Sequence, residues 1–316
     1  MLRRKGGACV FQNKTMKKTL IAAALMLVAF AATAQNKRQA KRAIEQLENE
    51  KWDIVLPIEE RVPKNTRKAS AAAPPTNWGV NLVLTDDVKA RMAAECTHKV
   101  VLKILDTGGK QTHPYLQQGQ LPGANYANTP TPDDIQGHGT HVAGIAVGND
   151  FGVLDALVDK GLVTWKPVKV LNDQGSGSFS WIAAAIDAEA AEDRIYLSKV
   201  RSTVVYPTDG PNIMVLEDAP VSVVYTASLS GGTSKVRKVE DALKKGTDLG
   251  LLFFFAAGNT GKPGVQYPGN SAYSIACGSI DKTVKKSAFS STGPEVNNVM
   301  PGGGINSTWT EGNFAT

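Results

Sequence analysis

The sequence predicts an α/β fold in three layers: a mostly parallel sheet with helices on both faces. Three observations carry this. Short, near-continuous apolar runs recur from residue 99 onward: KVVLKIL at 99–105, KPVKVL at 166–171, VSVVYTASL at 221–229, LLFFFAA at 251–257, and a fifth from Ser274 to Ile280. Strands buried on both faces read as such unbroken runs, whereas half-exposed strands alternate. Helical patterns stand between the runs, at 139–147, 179–191 and 234–249. Finally, the runs end in polar residues: Asp106, the Asn172-Asp173 turn, Ser228 and Asn259. In open parallel sheets a ligand sits beyond the carboxyl ends of the strands, so these residues are the ones to examine.

Before the runs begin, two segments of other composition stand in the chain. Residues 1–34 hold six of the 35 basic residues and no acidic one. The other residues then balance 29 basic against 29 acidic side chains, so the net charge of +6 belongs to the leader. No basic surface is implied for the body, and nucleic acid is not an expected partner. Within the leader, Met16-Lys17-Lys18 precedes an apolar run from Leu20 to Phe30, and Ala32-Thr33-Ala34 follows it. That order is a secretory signal region, with Met16 a better start than Met1, and it predicts a secreted or periplasmic protein without a stable membrane anchor. Residues 35–75 combine a charged, helix-prone stretch (QNKRQAKRAIEQLENEK) with the tract KASAAAPPT. They are expected to form a pro-segment or linker arm.

From residue 76 to 316 the texture is that of one globular domain. Residues 192–220 break its alternation with β-type runs and Pro-centred turns, which predicts an inserted hairpin or long loop. Cys9 falls in the leader, and Cys96 and Cys277 are expected to be small buried apolar residues, with pairing left open. A monomer is expected.

Three residues form a chemical set. Asp106 ends a strand and is followed by Thr107-Gly108-Gly109, His138 opens a small-residue helix, and Asn259 follows FFFAAG at another strand end. Each also has a plain reading, as cap, helix-start hydrogen-bonder or turn residue. Taken together they suit nucleophilic acyl transfer. His titrates near neutrality and can take a proton from a nucleophile. A carboxylate fixes the imidazole tautomer, and a side-chain amide can donate to a developing oxyanion. A zinc site on His138 and His141 is disfavoured, since no Glu lies between them and a third ligand would have to come from distant His113, His98 or a carboxylate. Neither G-x-G-x-x-G nor a P-loop is present.

In these stretches the chain resembles the subtilisin-like serine proteases, the subtilases. QGHGTHVAG is similar to their histidine motif, VVLKILDTGGKQTHPYL to their aspartate motif and FFFAAGNTG to their oxyanion-asparagine motif. VKVLNDQGSGSFSWIAAAI is similar to their cleft-lining segment; YPGNSAYSIACGSI and AFSSTGPEV match later family segments. The resemblance runs in family order from about Trp78 and implies a role for each position. His138 would be the general base, Asp106 its orienter and Asn259 an oxyanion donor. Gly175, Ser176 and Gly177 would pair with an extended protein or peptide substrate. Ser228, Ser230, Gly231 and Gly232 would line a wall of the main specificity pocket, where Ser230 is an extra residue relative to the family's Ser-Leu-Gly-Gly. His141 would pack rather than catalyse.

Two departures shape the expectation. Many family members have a calcium-ligating Asp after His-Pro, and here that position is Tyr115. No cofactor is required, and calcium, with Asn149 as the remaining side-chain ligand, is possible but weakened. The family's nucleophile sits in a Gly-Thr-Ser-Met-Ala-type motif downstream of segments like AFSSTGPEV. None of Ser290, Ser291 or Ser307 has that context. The expectation is therefore a serine endopeptidase truncated before its serine, inactive as it stands. The alternative is a catalytically dead peptide-binding protein using the same cleft.

Overall fold

The structure is a computed structural model that describes residues 54–55, 77–202 and 221–316. The leader and almost all of the 35–75 arm lie outside the described residues, as does 203–220 of the expected insertion.

The expected sheet is present. Seven strands lie side by side in the order β3-β4-β2-β6-β7-β8-β9, every neighbouring pair parallel. In chain order these are β2 (Lys99–Asp106), β3 (Ala124–Asn125), β4 (Val163–Lys169), β6 (Val221–Ala227), β7 (Leu252–Ala256), β8 (Ile275–Ile280) and β9 (Val296–Pro301). The apolar runs predict five of them. The sixth long strand, β9, has alternating half-buried and exposed residues, as an edge strand does, and so lacks an unbroken apolar run.

The helices divide between two faces, and strand alternation shows how. In β7, Phe254 joins one core cluster while Phe253 and Phe255 join the other. The first face is covered by α1 (Trp78–Val83), α2 (Asp86–Glu95), α3 (His138–Val147) and α4 (Asp155–Asp159), which pack on Leu102, Ile104, Trp165 and Val224. The second is covered by α5 (Phe179–Ser202) and α6 (Arg237–Asp248), over Leu105, Val168, Val223 and Tyr225. α3 joins β2 to β4 on the first face, and α5 joins β4 to β6 on the second. Strand order thus reverses around β2. In doubly wound sheets that reversal opens a crevice at the strand's carboxyl end, and Asp106 is the last residue of β2.

One expectation needs correction. α5 does not stop near residue 191 but continues to Ser202, taking eleven residues of the stretch read as an inserted hairpin or loop at 192–220. A largely buried charge cluster carries the helix past 191, through residue 193. Lys166, Lys103 and Tyr225 are cross-strand neighbours on β4, β2 and β6. They meet Glu189, Glu192 and Asp193 of α5, with Lys103 Nζ 2.7 Å from both Glu189 Oε2 and Asp193 Oδ1. Lys166 Nζ lies 2.9 Å from Glu189 Oε2 and 2.8 Å from Glu192 Oε2, and the Tyr225 hydroxyl donates to Asp193 at 2.5 Å. Positions i, i+3 and i+4 share a helix face, so the helix must run through 193 to present all three carboxylates. Cys277 is buried and Cys96 half-buried, and they form no disulfide.

Candidate active site

At the carboxyl end of β2, Asp106 and His138 meet. His138 Nδ1 lies 2.7 Å from Asp106 Oδ1. Both residues are buried, Asp106 completely. A carboxylate can only accept, so the proton resides on Nδ1 and the imidazole lone pair on Nε2. The same Asp106 oxygen accepts from the Thr107 N–H at 2.7 Å. His138 is the first residue of α3, whose start is brought tightly against the end of β2. A Cβ on Gly139 would stand 2.1 Å from the Gly108 carbonyl oxygen, so only glycine permits this approach. Gly137 caps the helix at φ 107° with the Trp309 ring where a side chain would be.

His141 is separated from this pair. It is buried, its Nε2 donates to the Ala315 carbonyl at 3.2 Å, and its ring stands edge-on to Trp309. Burial, with the neighbouring His138 adding, holds its pKa down to about 3. Among the described residues no group of three or more His, Cys, Asp or Glu side chains is arranged to hold a metal.

The other predicted site residues line the same carboxyl edge. Asn259 follows β7 and is exposed, and Ser228 follows β6 and is buried. Gln266, which sequence reasoning did not single out, joins these two regions. Its Oε1 accepts from the Asn259 backbone N–H at 3.3 Å and from the Ser230 hydroxyl at 3.0 Å. Gly231 N–H donates to the Tyr267 carbonyl, and Tyr267 N–H to that of Gly232, so 230–232 and 266–267 run as a paired ribbon.

Gly175, Ser176 and Gly177 follow a turn built by Asn172. Its Oδ1 accepts from the backbone N–H groups of Gln174 and Ser176, and its own N–H donates to the Ser176 carbonyl. Ser176 and Gly177 form strand β5, which is paired antiparallel with β1 (Ile54–Val55), Ile54 opposite Gly177 and Val55 opposite Ser176. An extended segment of the 35–75 arm therefore lies on the edge predicted to take an extended substrate.

The calcium expectation falls on the loop after α3. Asn149 Oδ1 is buried and meets no donor among the described residues, which suits a ligand. Aromatic rings stand in and beside the same loop. The Tyr115 ring packs edge-on with Phe151 and Phe314, with centroids 6.1 and 5.3 Å away, and His113 stands edge-on to Phe314. Asp155 lies 3.6 Å from Lys89, and burial raises its pKa. Calcium takes six to eight oxygens; with Tyr115 in place of a carboxylate, the backbone carbonyls of Val147, Phe151 and Val153 would have to join Asn149.

Gln136, Thr107 and Asp134 are residues beside His138 that sequence reasoning missed; Gln136 Oε1 accepts from the His138 N–H at 2.7 Å. Asp134 is fully buried and accepts hydrogen bonds from both the β2 end and the α3 start. An acidic residue just ahead of a helix start was the signal that could have found it. The serines set aside on context are all engaged elsewhere. Ser290 Oγ accepts from Ser279 N–H, Ser291 Oγ from Thr260 N–H, and Ser307 Oγ donates to the His141 carbonyl.

A profile of the subtilase family matches residues 97–315. Among curated relatives, the thermostable alkaline protease of Halalkalibacterium halodurans is 30% identical over 76% of this chain and 57% of its own length. Subtilisin Savinase of Lederbergia lenta is 31% identical over 76% of each chain. The chain thus spans little more than half of the first of these. Among solved structures, that of a cold adapted subtilisin-like serine proteinase superposes with a TM-score of 0.54 at 26% identity, covering 69% of this chain and 68% of the other.

Proposed function

Because the chain belongs to the subtilase family, we propose that it carries the base half of a peptide-bond hydrolysing site working through an Asp-His-Ser triad. The observation that carries this reading is the buried Asp106–His138 pair, 2.7 Å apart at the strand where the sheet order reverses. His138 Nε2 takes the proton of a serine hydroxyl and later returns it to the leaving amine. Asp106 holds the tautomer and stabilises the imidazolium that forms between those steps. Asn259 supplies a side-chain amide to the oxyanion, and Gln266 ties its backbone to the pocket wall at Ser230. The substrate is an extended protein or peptide segment laid along 175–177. The pairing of Ile54–Val55 on that edge supports main-chain recognition there.

The nucleophile is not among these 316 residues in this reading. A serine-directed fluorophosphonate is expected to leave the 316-residue polypeptide unlabelled, and stoichiometric labelling of any serine would overturn that part. In an active form, His138→Ala and Asp106→Asn are each expected to lower turnover by on the order of a thousandfold or more. Asn259→Ala is expected to cost about a hundredfold in kcat with little change in KM, by precedent from enzymes of this chemistry. Wild-type turnover in His138→Ala would sink the assignment.

Export follows from the 1–34 leader, and no described helix is long and apolar enough to cross a membrane. No metal takes part in this reading. The loop after α3 is held by ring packing of Tyr115, Phe151 and Phe314.

A further inference from the structure

We infer that Asp134 is a positioning residue for the base, acting through Thr107 and the first turn of α3. The inference rests on the reading of Asp106 and His138 as a catalytic pair and adds what holds that pair in register.

A buried carboxylate is costly unless it is well hydrogen-bonded. Asp134 is completely buried. Its Oδ1 accepts from the Thr107 hydroxyl at 2.9 Å and from the Gly137 N–H at 2.8 Å. Its Oδ2 accepts from the Thr140 N–H at 2.8 Å and the Thr140 hydroxyl at 2.7 Å. The N-cap of α3 is Gly137, which has no side chain to satisfy the open N–H groups of the first turn. Three other side chains do so. Gln136 Oε1 accepts from His138 N–H at 2.7 Å, Thr107 Oγ1 from Gly139 N–H at 2.9 Å, and Asp134 from Thr140 N–H.

Thr107 is the link to the orienting carboxylate. It follows Asp106 in the chain, and its hydroxyl both donates to Asp134 and accepts from Gly139 N–H. The β2 end carrying Asp106 and the helix start carrying His138 are thus joined by one hydroxyl and one carboxylate. Asp134 has an electrostatic effect as well. His138 sits at a helix N-terminus, where the backbone field opposes an imidazolium. A second negative charge there offsets that field. The other charged or titratable groups around this corner are Asp106, His141, and the Asp133–Lys110 pair; Lys169 Nζ donates to the Thr107 and Asp133 carbonyls.

Asp134→Asn is a demanding substitution despite its equal shape. Whichever way the amide turns, its NH2 faces Gly137 N–H or Thr140 N–H, neither of which can accept. The test is NMR of the His138 imidazole in the full 316-residue chain, reading its titration midpoint and the far-downfield Nδ1 proton of a short bond to carboxylate. Asp134→Asn is expected to lower the midpoint by about half a unit to one unit and to broaden the downfield signal. Thr107→Val keeps the charge but severs the link, so it is expected to broaden the signal with the midpoint little changed. Thr107→Ser restores the hydroxyl and is expected to match the wild type in both. Wild-type signal and midpoint in both Asp134→Asn and Thr107→Val would overturn the inference. Should Asp134→Asn fail to fold, Thr107→Val against Thr107→Ser decides it. Asp106→Asn is the control for the underlying pair: if it leaves the downfield signal intact, the catalytic-pair reading itself fails, whatever Asp134 does.

Discussion

His138 and His141 stand three residues apart in one short motif, yet they work in different environments. His138 opens α3 and faces Asp106 at the strand ends. His141, one turn further along, points into the packing between α3 and the residues around Trp309 and Ala315. The difference predicts a pH effect. In the folded protein burial keeps His141 neutral, with a pKa near 3, while an unfolded chain titrates it near 6.5. Below pH 6.5 the unfolded state takes up a proton that the folded state refuses. The stability contribution is therefore complete above pH 6.5 and is lost as the pH falls toward 3, at up to about 1.4 kcal/mol per unit. His141→Gln is expected to be less stable at pH 7 but to lose less between pH 7 and pH 5. Chemical denaturation of both proteins at the two pH values checks this, and parallel slopes would show that His141 is not held neutral. That His138 meets Asp106 while His141 packs inside the fold was already legible in the motif, through its resemblance. That Asp134 reaches back to Thr107 and that Gln266 reaches Ser230 was not, because those contacts join residues far apart in the chain, which spacing does not reveal.

At the scale of elements, α5 shows why charge pattern alone misleads. Glu189, Glu192 and Asp193 fall at the spacing of a solvated helix face. In the structure Glu189 and Asp193 are buried against the sheet, facing Lys103 and Lys166. Burial raises the pKa of Glu189, but hydrogen bonds from Lys103 and Lys166 outweigh it and leave that carboxyl below its ordinary value. At Asp193 burial prevails, and its pKa is raised. Lys103→Met is expected to strand these carboxylates and to cost about 3–5 kcal/mol, a fall of roughly ten degrees in Tm. The triple change Lys103→Met, Glu189→Gln, Asp193→Asn is expected to recover much of that loss, because it removes the stranded charge. Thermal unfolding followed by circular dichroism compares the three proteins; an unchanged Tm in Lys103→Met would mean that the cluster does not hold α5 to the sheet. The strands it spans, by contrast, were readable directly, since burial on both faces leaves an unbroken apolar run.

Across the whole molecule, the sheet order and the aromatic cluster make a joint prediction about metal dependence. Tyr115, Phe151 and Phe314 bring together the segment after β2, the loop after α3 and β11 (Phe314–Ala315). Ring packing of this kind needs no cation, so a chelator is expected to leave Tm unchanged within about a degree. A fall of several degrees, reversed by calcium, would show that Asn149 and the loop carbonyls bind a cation after all. Local sequence was enough for the parallel three-layer architecture and for placing Asp106, His138 and Asn259 near strand and helix ends. Burial on both faces imposes an unbroken apolar run, and the polar residue that ends such a run stands out against it. Three-dimensional packing was needed to set which carboxylate faces which cation, how far α5 runs, that Ile54–Val55 lies on Ser176–Gly177, and that Asp134 reaches Thr107 at the strand end. Those are pairings between groups distant in the chain, and their energies depend on burial and distance, which local sequence does not encode.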